Sequence, residues 1–144
     1  MKVSVIGMGY IGLPTAAVLA SRKINVVGVD VNHDVVDTIN KGNIHIVEPE
    51  LDILVRSVVQ SGYLRSTTLP EKADVFMVAV PTPFKDENKP DLSYIEAVSK
   101  AIAPLLEKGN IVILESTSPV GTTEKMMGWI HELRSDLTFP IFGT

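Results

Sequence analysis

Cysteine is missing from all 144 residues of the chain, and its absence removes several kinds of chemistry. Without a thiol, the chain has no disulfide bond, no thiolate ligand for zinc and no cysteine nucleophile of its own. Sequences without disulfides are typical of reducing compartments, so we expect a cytoplasmic protein.

Clustered positive charge is missing too. The chain has 13 Lys and Arg residues against 17 Asp and Glu residues, which gives a formal net charge of −4, and the basic residues form no run. Nucleic acids and anionic membranes bind basic clusters, so we expect neither as a partner. The histidines, His33, His45 and His131, do not have the spacing of metal ligands, and no metal site is predicted.

Long hydrophobic runs are also absent. No stretch reaches the roughly 18 apolar residues that a membrane-spanning helix needs. Near the N-terminus, Gly7, Gly9, Gly12 and Pro14 interrupt the apolar segment, whereas a secretory signal has a continuous apolar core. We therefore expect a protein without a membrane segment or a signal peptide.

What the sequence does contain is an alternation of short apolar segments and helical ones. The apolar segments predict buried strands at residues 3–6, 25–30, 63–68, 75–80 and 111–114. The other segments predict helices at residues 11–22, 33–41 (with Asn32 as the N-cap), 51–61, 93–107 and 122–134. Residues 43–50 and 81–91 are predicted loops, and residues 136–144 predict either a sixth strand or a frayed end. This alternation indicates an α/β fold with a doubly wound, mostly parallel sheet, as a single domain over residues 1–144.

Three glycines, Gly7, Gly9 and Gly12, lie between the first predicted strand and the first predicted helix. In this context the G-x-G-x-x-G pattern indicates a dinucleotide-binding turn of the Rossmann type. The first glycine allows the sharp turn, the second lets the backbone approach a pyrophosphate, and the third lets the helix pack closely on the sheet. The N-terminus of the helix then offers N–H groups and a positive dipole end to the phosphates.

An acidic residue, Asp30, ends the second predicted strand 18 residues after Gly12. A carboxylate at that place accepts hydrogen bonds from the ribose hydroxyls of the adenosine and repels a 2′-phosphate. Residues 31–33 contain no Arg or Lys to receive such a phosphate, so the sequence predicts NAD rather than NADP as the cofactor. The alternative is a glycine turn that serves packing alone, with Asp30 as a helix cap.

Polar residues also follow the fourth and fifth predicted strands, in the stretches VAVPTPF and ESTSPVGT. Ligands of doubly wound sheets bind at the carboxyl ends of the strands, so Thr82, Ser116 and Thr117 are candidate cofactor-binding residues. The alternative for them is ordinary turn and cap chemistry. Glu115 either contacts the substrate or a backbone N–H group, or is an ordinary loop carboxylate.

Five stretches occur in the order found in a known family: VIGMGYIGLPTAAVLA, GVDVN, VEPEL, VAVPTPF and ESTSPVGT. With them the chain resembles the nucleotide-sugar 6-dehydrogenases, which include UDP-glucose and GDP-mannose dehydrogenases. The resemblance extends from Met1 to about Pro140. It is strongest to the branch that oxidises UDP-N-acetyl-D-mannosamine, and the UDP-glucose branch more usually has Lys where Glu115 stands.

The resemblance implies an enzyme that oxidises the C6 alcohol of a nucleotide sugar to a carboxylate, in nucleotide-sugar supply for surface polysaccharide. Two NAD molecules accept the hydrides, by way of a thiohemiacetal and a thioester on a cysteine. The family pattern implies these cofactor-binding residues: Gly7, Gly9, Tyr10, Ile11, Gly12, Asp30, Thr82, Ser116 and Thr117. It further implies that Thr117 is catalytic, lying near the nicotinamide and helping to place an active-site water.

The chain departs from the family pattern in two respects. The nucleophilic cysteine and its partner lysine lie downstream in the family, in a central helix and a second domain that these 144 residues do not include. Val35 stands where some members have a basic residue. We therefore expect the cofactor-binding portion of a larger enzyme, which binds NAD and does not complete the oxidation. The resemblance also implies a UDP-sugar substrate and a homodimer of the full-length enzyme, built largely from the central region.

Other functions stay open from the residues alone. A nucleotide-sensing regulatory domain of a channel or transporter has a similar size and glycine motif but does not need the VPTP and STSPVGT stretches. The cofactor domain of a 6-phosphogluconate-type dehydrogenase often prefers NADP and has basic residues after the second strand. A third alternative is a fragment that binds nothing and serves as a subunit interface.

Overall fold

The computed structural model describes residues 1–85, 89–115, 119–137 and 141–143. The strands are β1 (Lys2–Ile6), β2 (Asn25–Val29), β3 (Leu64–Thr67), β4 (Val75–Val78), β5 (Phe84–Lys85), β6 (Lys89–Pro90), β7 (Ile111–Leu114) and β8 (Ile141–Gly143). The helices are α1 (Gly12–Ser21), α2 (His33–Asn40), α3 (Leu51–Gln60), α4 (Ser93–Ile102) and α5 (Thr122–Leu133), with a 3-10 turn at Ala103–Leu105 after α4. None of the described helices is both long and apolar enough to cross a bilayer.

Six of the strands form one parallel sheet in the order β3-β2-β1-β4-β7-β8. From the central β1 the chain runs outward to β2 and β3, and then crosses to β4 on the other side of β1. At such a reversal, doubly wound sheets bind ligands outside the carboxyl ends of their strands. The predicted α/β fold with a doubly wound sheet of the Rossmann type is therefore confirmed.

Helices cover both faces of the sheet, so both faces are buried. On β2, Val26 belongs to the apolar cluster that includes residues of α1 and α3, while the next residue, Val27, belongs to the cluster on the opposite face, which includes residues of α4 and α5. Successive residues of a strand point to opposite faces, and here each face meets an apolar layer. This explains why the strands are continuously apolar instead of alternating with polar residues.

The segment after β4 differs from its prediction. Residues 81–91 are predicted to be a loop, but they contain the antiparallel strands β5 and β6, in which Phe84 lies opposite Pro90 and Lys85 opposite Lys89. A ladder of two residue pairs is too short to leave a periodic pattern in the sequence. The prediction of a loop is therefore wrong at these two strands.

The structure also gives narrower bounds for the helix predicted at residues 93–107 and decides between the two alternatives predicted for residues 136–144. The predicted helix 93–107 ends at Ile102 and continues as a 3-10 turn, because Pro104 has no N–H group to donate to a helical carbonyl. For residues 136–144, the prediction of a sixth strand is the correct alternative, since β8 pairs in parallel with β7.

The edge strand β3 is covered in part by a side chain of α2. Asn40 Oδ1 accepts a hydrogen bond from the Ser66 N–H group (2.8 Å), and Asn40 Nδ2 donates one to Ser66 O (2.9 Å). The amide group thus takes the place of a neighbouring strand at Ser66. It also anchors α2, and with α2 the segment that connects it to the end of β2.

An ion-pair network lies toward the amino ends of the strands, opposite to the carboxyl ends, where doubly wound sheets bind their ligands. Glu71 accepts hydrogen bonds from two guanidinium nitrogens of Arg65 (2.6 and 2.8 Å) and from Lys2 Nζ (3.1 Å). The Arg65 hydrogen bonds lower the pKa of Glu71 to about 2. Because the side chains of Arg65 and Glu71 stay partly exposed, solvent screens the network and its effect on stability is small.

Helix α1 is followed by its C-cap residue, Arg22, and then by Lys23 in the left-handed conformation, with φ +65°. The Lys23 N–H group donates to Ala20 O (3.0 Å), and the Ile24 N–H group donates to Leu19 O (3.4 Å), which closes the helix end. A residue with a Cβ atom pays a steric cost in this conformation, and glycine does not.

We predict that Lys23→Gly raises the free energy of unfolding by about 0.5–1 kcal/mol, because glycine removes this steric cost. Lys41→Gly is the matched control, since Lys41 caps α2 at a relaxed φ of −82° and glycine relieves nothing there. Urea unfolding followed by far-UV circular dichroism measures both variants. A Lys23→Gly chain that is less stable than the wild type contradicts the prediction.

Candidate dinucleotide-binding site

The turn after β1 requires glycine at its first position for two reasons. Gly7 has φ +96°, in the left-handed region, and a Cβ added to it would lie 2.6 Å from Ala79 O. The Gly7 N–H group also donates to Val29 O (2.7 Å), at the end of β2. The turn is therefore held between the two strands that flank β1.

The other two glycines of the motif have different surroundings. A Cβ on Gly12, the first residue of α1, would overlap Gly7 O, so the helix begins directly against the turn. A Cβ on Gly9 would meet no described atom within 4 Å. Packing thus requires Gly12, whereas Gly9 presents bare backbone to open space.

The first turn of α1 itself contributes no acidic side chain that would offset the positive end of the helix dipole. Ile11 occupies the N-cap position with an apolar side chain, and the first turn of α1 contains no acidic residue. Such a helix end attracts an anion through its N–H groups and dipole. Tyr10 and Ile11 are 69% and 45% exposed, so this part of the turn lies at the surface.

The carboxylate of Asp30 is bonded to the glycine turn. Asp30 Oδ2 accepts a hydrogen bond from the Met8 N–H group (3.0 Å), and Asp30 Oδ1 accepts one from the Asn32 N–H group (3.0 Å). The predicted cap of α2 is confirmed at Asn32, whose Oδ1 accepts from the Asp34 N–H group (2.9 Å). Asp30 is therefore not the cap of α2, and its carboxylate oxygens keep lone pairs for further donors.

Met8 and Gly28, which are not among the predicted site residues, pack against each other where the glycine turn meets β2. Met8 is completely buried, and its thioether lies over Gly28, where a Cβ atom would come within 2.7 Å of Met8 Sδ. Gly28 makes room for Met8 in the middle of β2. Its presence inside an otherwise apolar strand was the available signal, because a glycine there often marks the close approach of another group.

The remaining predicted site residues follow β4 and β7. Thr82 lies half-buried in the segment after β4, on the side of β1 opposite to Asp30. Ser116 and Thr117 lie outside the described residues, so their predicted roles stay predictions. Within the described part of the chain, no group of three or more His, Cys, Asp or Glu side chains has an arrangement that could hold a metal ion.

Glu115, the first residue after β7, reaches back to the start of α1. Its N–H group donates to Val78 O (2.7 Å), and its Oε1 atom accepts a hydrogen bond from the Thr15 hydroxyl group (2.9 Å). The Oε2 atom is buried and has no hydrogen-bond partner among the described residues. Among the described residues, the side chain of Glu115 thus has the Thr15 hydroxyl group as its partner and no backbone N–H group.

We predict that alanine at two of the glycines affects folding very differently. Gly12→Ala lowers the free energy of unfolding by about 3 kcal/mol or more, because the new methyl group overlaps a backbone carbonyl. Gly9→Ala changes it by less than about 1 kcal/mol, since its methyl group enters open space. Thermal unfolding compares the two variants, and equal losses would contradict the described geometry of the turn.

Comparison with known proteins places the chain in a family. Residues 1–142 match the NAD-binding domain of the UDP-glucose/GDP-mannose dehydrogenase family. A UDP-N-acetyl-D-mannosamine dehydrogenase of Campylobacter jejuni is 70% identical over 140 residues, which cover 96% of this chain and 34% of that protein. An NDP-N-acetyl-D-galactosaminuronic acid dehydrogenase of Ralstonia solanacearum is 63% identical over 138 residues, which cover 96% of this chain and 33% of that protein.

A solved structure has the same fold. The UDP-D-ManNAc dehydrogenase of Pyrococcus horikoshii superposes with a TM-score of 0.92 at 39% sequence identity, covering 98% of this chain and 35% of that chain. The chain spans about a third of the length of the relatives it matches. Because the family match extends over residues 1–142, the chain belongs to the UDP-glucose/GDP-mannose dehydrogenase family and corresponds to its NAD-binding domain.

Proposed function

We propose that NAD lies across the carboxyl ends of β2, β1, β4 and β7, and that the chain is the cofactor-binding portion of a UDP-N-acetyl-D-mannosamine 6-dehydrogenase. One observation carries the proposal. The Asp30 carboxylate is hydrogen-bonded to Met8 in the glycine turn, so an acceptor for ribose hydroxyls and a surface for a pyrophosphate lie side by side. A dinucleotide needs both groups together, whereas a turn that serves packing alone needs no carboxylate.

The pyrophosphate rests, in this proposal, on the backbone from Gly9 to Gly12, with N–H groups from Tyr10 and Ile11. The open space at Gly9 supports this, because a side chain there would keep a phosphate away from the backbone. The positive end of α1, which has no acidic residue in its first turn, supports it further.

Asp30 binds the adenosine ribose and sets the preference for NAD. Its oxygens already accept one backbone hydrogen bond each, which fixes the carboxylate while leaving lone pairs for the ribose hydroxyls. The same negative charge disfavours a 2′-phosphate. Residues 31–33 provide no Lys or Arg to offset that repulsion.

The nicotinamide half lies, in the same proposal, on the other side of β1. Thr82 contacts the cofactor after β4, and Ser116 and Thr117 contact it after β7. Thr117 helps to place a water beside the nicotinamide. When bound, NAD supplies the hydride acceptor, and the chain's own residues bind and orient it.

The substrate and the assembly belong to the proposal as well, because the chain spans about a third of its relatives. The substrate is a UDP-sugar, and UDP-N-acetyl-D-mannosamine is favoured because the Campylobacter jejuni relative is named for it. Oxidation of the C6 alcohol to a carboxylate needs residues outside these 144, since the chain has no cysteine. The complete enzyme is proposed to be a homodimer.

We predict that Asp30→Ala weakens NAD binding by about tenfold and narrows the difference in affinity between NAD and NADP. The variant loses both the acceptor for the ribose and the charge that repels the 2′-phosphate. Asp34→Ala, which removes an equal charge from the first turn of α2, is the control and leaves both affinities near their wild-type values. Isothermal titration calorimetry measures them, and an unchanged NAD-to-NADP ratio in Asp30→Ala contradicts the proposal.

We also predict that the chain binds NAD without sustaining NADH production from UDP-N-acetyl-D-mannosamine, because it has no thiol to carry the covalent intermediates. The absorbance of NADH follows the reaction, and the Campylobacter jejuni relative serves as the positive control. Steady accumulation of NADH over many turnovers by the 144-residue chain contradicts the prediction.

A further inference from the structure

We propose that Glu115 makes the site selective for oxidised NAD over NADH through its negative charge. The inference rests on the proposed function, since it concerns the nicotinamide half of the same cofactor site. Oxidised nicotinamide is a pyridinium cation, whereas the reduced ring is neutral. A carboxylate near that ring therefore distinguishes the two forms of the cofactor by charge alone.

The order of the strands places Glu115 on the nicotinamide side. Asp30 follows β2, on one side of the central β1, and Glu115 follows β7, beyond β4 on the other side. A dinucleotide in a doubly wound sheet extends across the point where the strand order reverses. When the adenosine lies at Asp30, the nicotinamide end extends toward β4 and β7, where Glu115 is the first residue after the strand.

The hydrogen bonds of Glu115 do not neutralise its charge. Its Oε1 atom accepts from the Thr15 hydroxyl group, which is neutral, and its Oε2 atom has no partner in the described part of the chain. None of the ion pairs formed by described residues includes Glu115. A carboxylate that has neither a cation nor a full set of donors exerts a stronger field on nearby charges than a paired carboxylate does.

Burial increases the distance over which the charge of Glu115 acts. The Oε2 atom is covered by protein, so water and salt screen its charge less than they screen an exposed carboxylate. A charge acts through space, so the effect on the pyridinium does not require contact with the covered oxygen atom. The arrangement differs from that of Glu107, an exposed carboxylate paired with Lys72 at 3.0 Å before the amino end of β7.

Glu115→Gln separates the charge from the structural role. Glutamine has nearly the same size and keeps an oxygen that accepts from the Thr15 hydroxyl group, but it is neutral. Glu107→Gln makes the same chemical change at the other end of the same strand and is the matched control. Thr15→Val removes the hydrogen bond and leaves the charge, so it tests whether the link to α1 alone has an effect.

Isothermal titration calorimetry measures the Kd of NAD, NADH and ADP-ribose for each chain. Glu115→Gln is expected to weaken NAD binding by about three- to tenfold relative to NADH binding, whereas the Kd values of NADH and ADP-ribose, which share the pyrophosphate and have no cationic ring, change by the same factor as each other. Glu107→Gln leaves all three values unchanged. Thr15→Val keeps the preference for NAD over NADH, and circular dichroism verifies that each variant is folded.

Several results would overturn the inference. One is an equal effect of Glu115→Gln on all three ligands, which indicates a structural role, and another is an unchanged ratio of the Kd values of NADH and NAD. A third is a loss of the preference for NAD in Thr15→Val. A wild-type chain that binds NADH more tightly than NAD also overturns it, even if Glu115→Gln does not fold. If neither ADP-ribose nor NAD binds the wild type, the proposed function fails and the inference fails with it. If ADP-ribose binds but Glu115→Gln does not alter the preference for NAD over NADH, the inference fails and the proposed function stays intact.

Discussion

The hydrogen bond from the Met8 N–H group to the Asp30 carboxylate joins the glycine turn to the proposed acceptor of the ribose hydroxyls, and the parallel register of β1 and β2 makes this bond possible. Ile6 pairs with Val29 at the ends of these strands, so the residues that follow each strand emerge side by side. A register shift of one residue would turn the Asp30 side chain to the other face of the sheet. The position of the site therefore depends on the pairing of the strands beneath it.

The glycines make this arrangement sterically possible. Gly12 lets α1 begin against the Gly7 carbonyl group, and Gly28 gives the Met8 side chain its space under the turn. These contacts fix the turn by packing within the chain, and a binding surface that is fixed by packing loses less conformational entropy when a ligand binds.

The parts of the structure that local sequence patterns determine could be predicted. The parts that depend on contacts between residues distant in the sequence could not. The apolar strands, the glycine turn and Asp30 after β2 follow from periodicity and turn chemistry within about 30 residues. The Thr15–Glu115 hydrogen bond joins residues 100 positions apart, and no local pattern connects them. The role of Glu115 could be stated only as alternatives, because the choice depends on where the end of β7 meets α1. The early end of α4 had a local signal in Pro104, but its position within an apolar helical pattern concealed it.

Nuclear magnetic resonance of the ¹⁵N-labelled chain during titration with NAD tests the central claim most directly, because the Met8 amide reports on the bond between the turn and Asp30. We expect the largest shift changes at the amides of Tyr10 and Ile11, which donate to the pyrophosphate in the proposal, and further changes at Met8 and Asn32 beside the Asp30 carboxylate. The amides of Lys2 and Arg65, toward the amino ends of the strands, should remain unchanged. Saturable changes around Lys2 and Arg65, with the Met8 and Asn32 amides unaffected, would contradict the account.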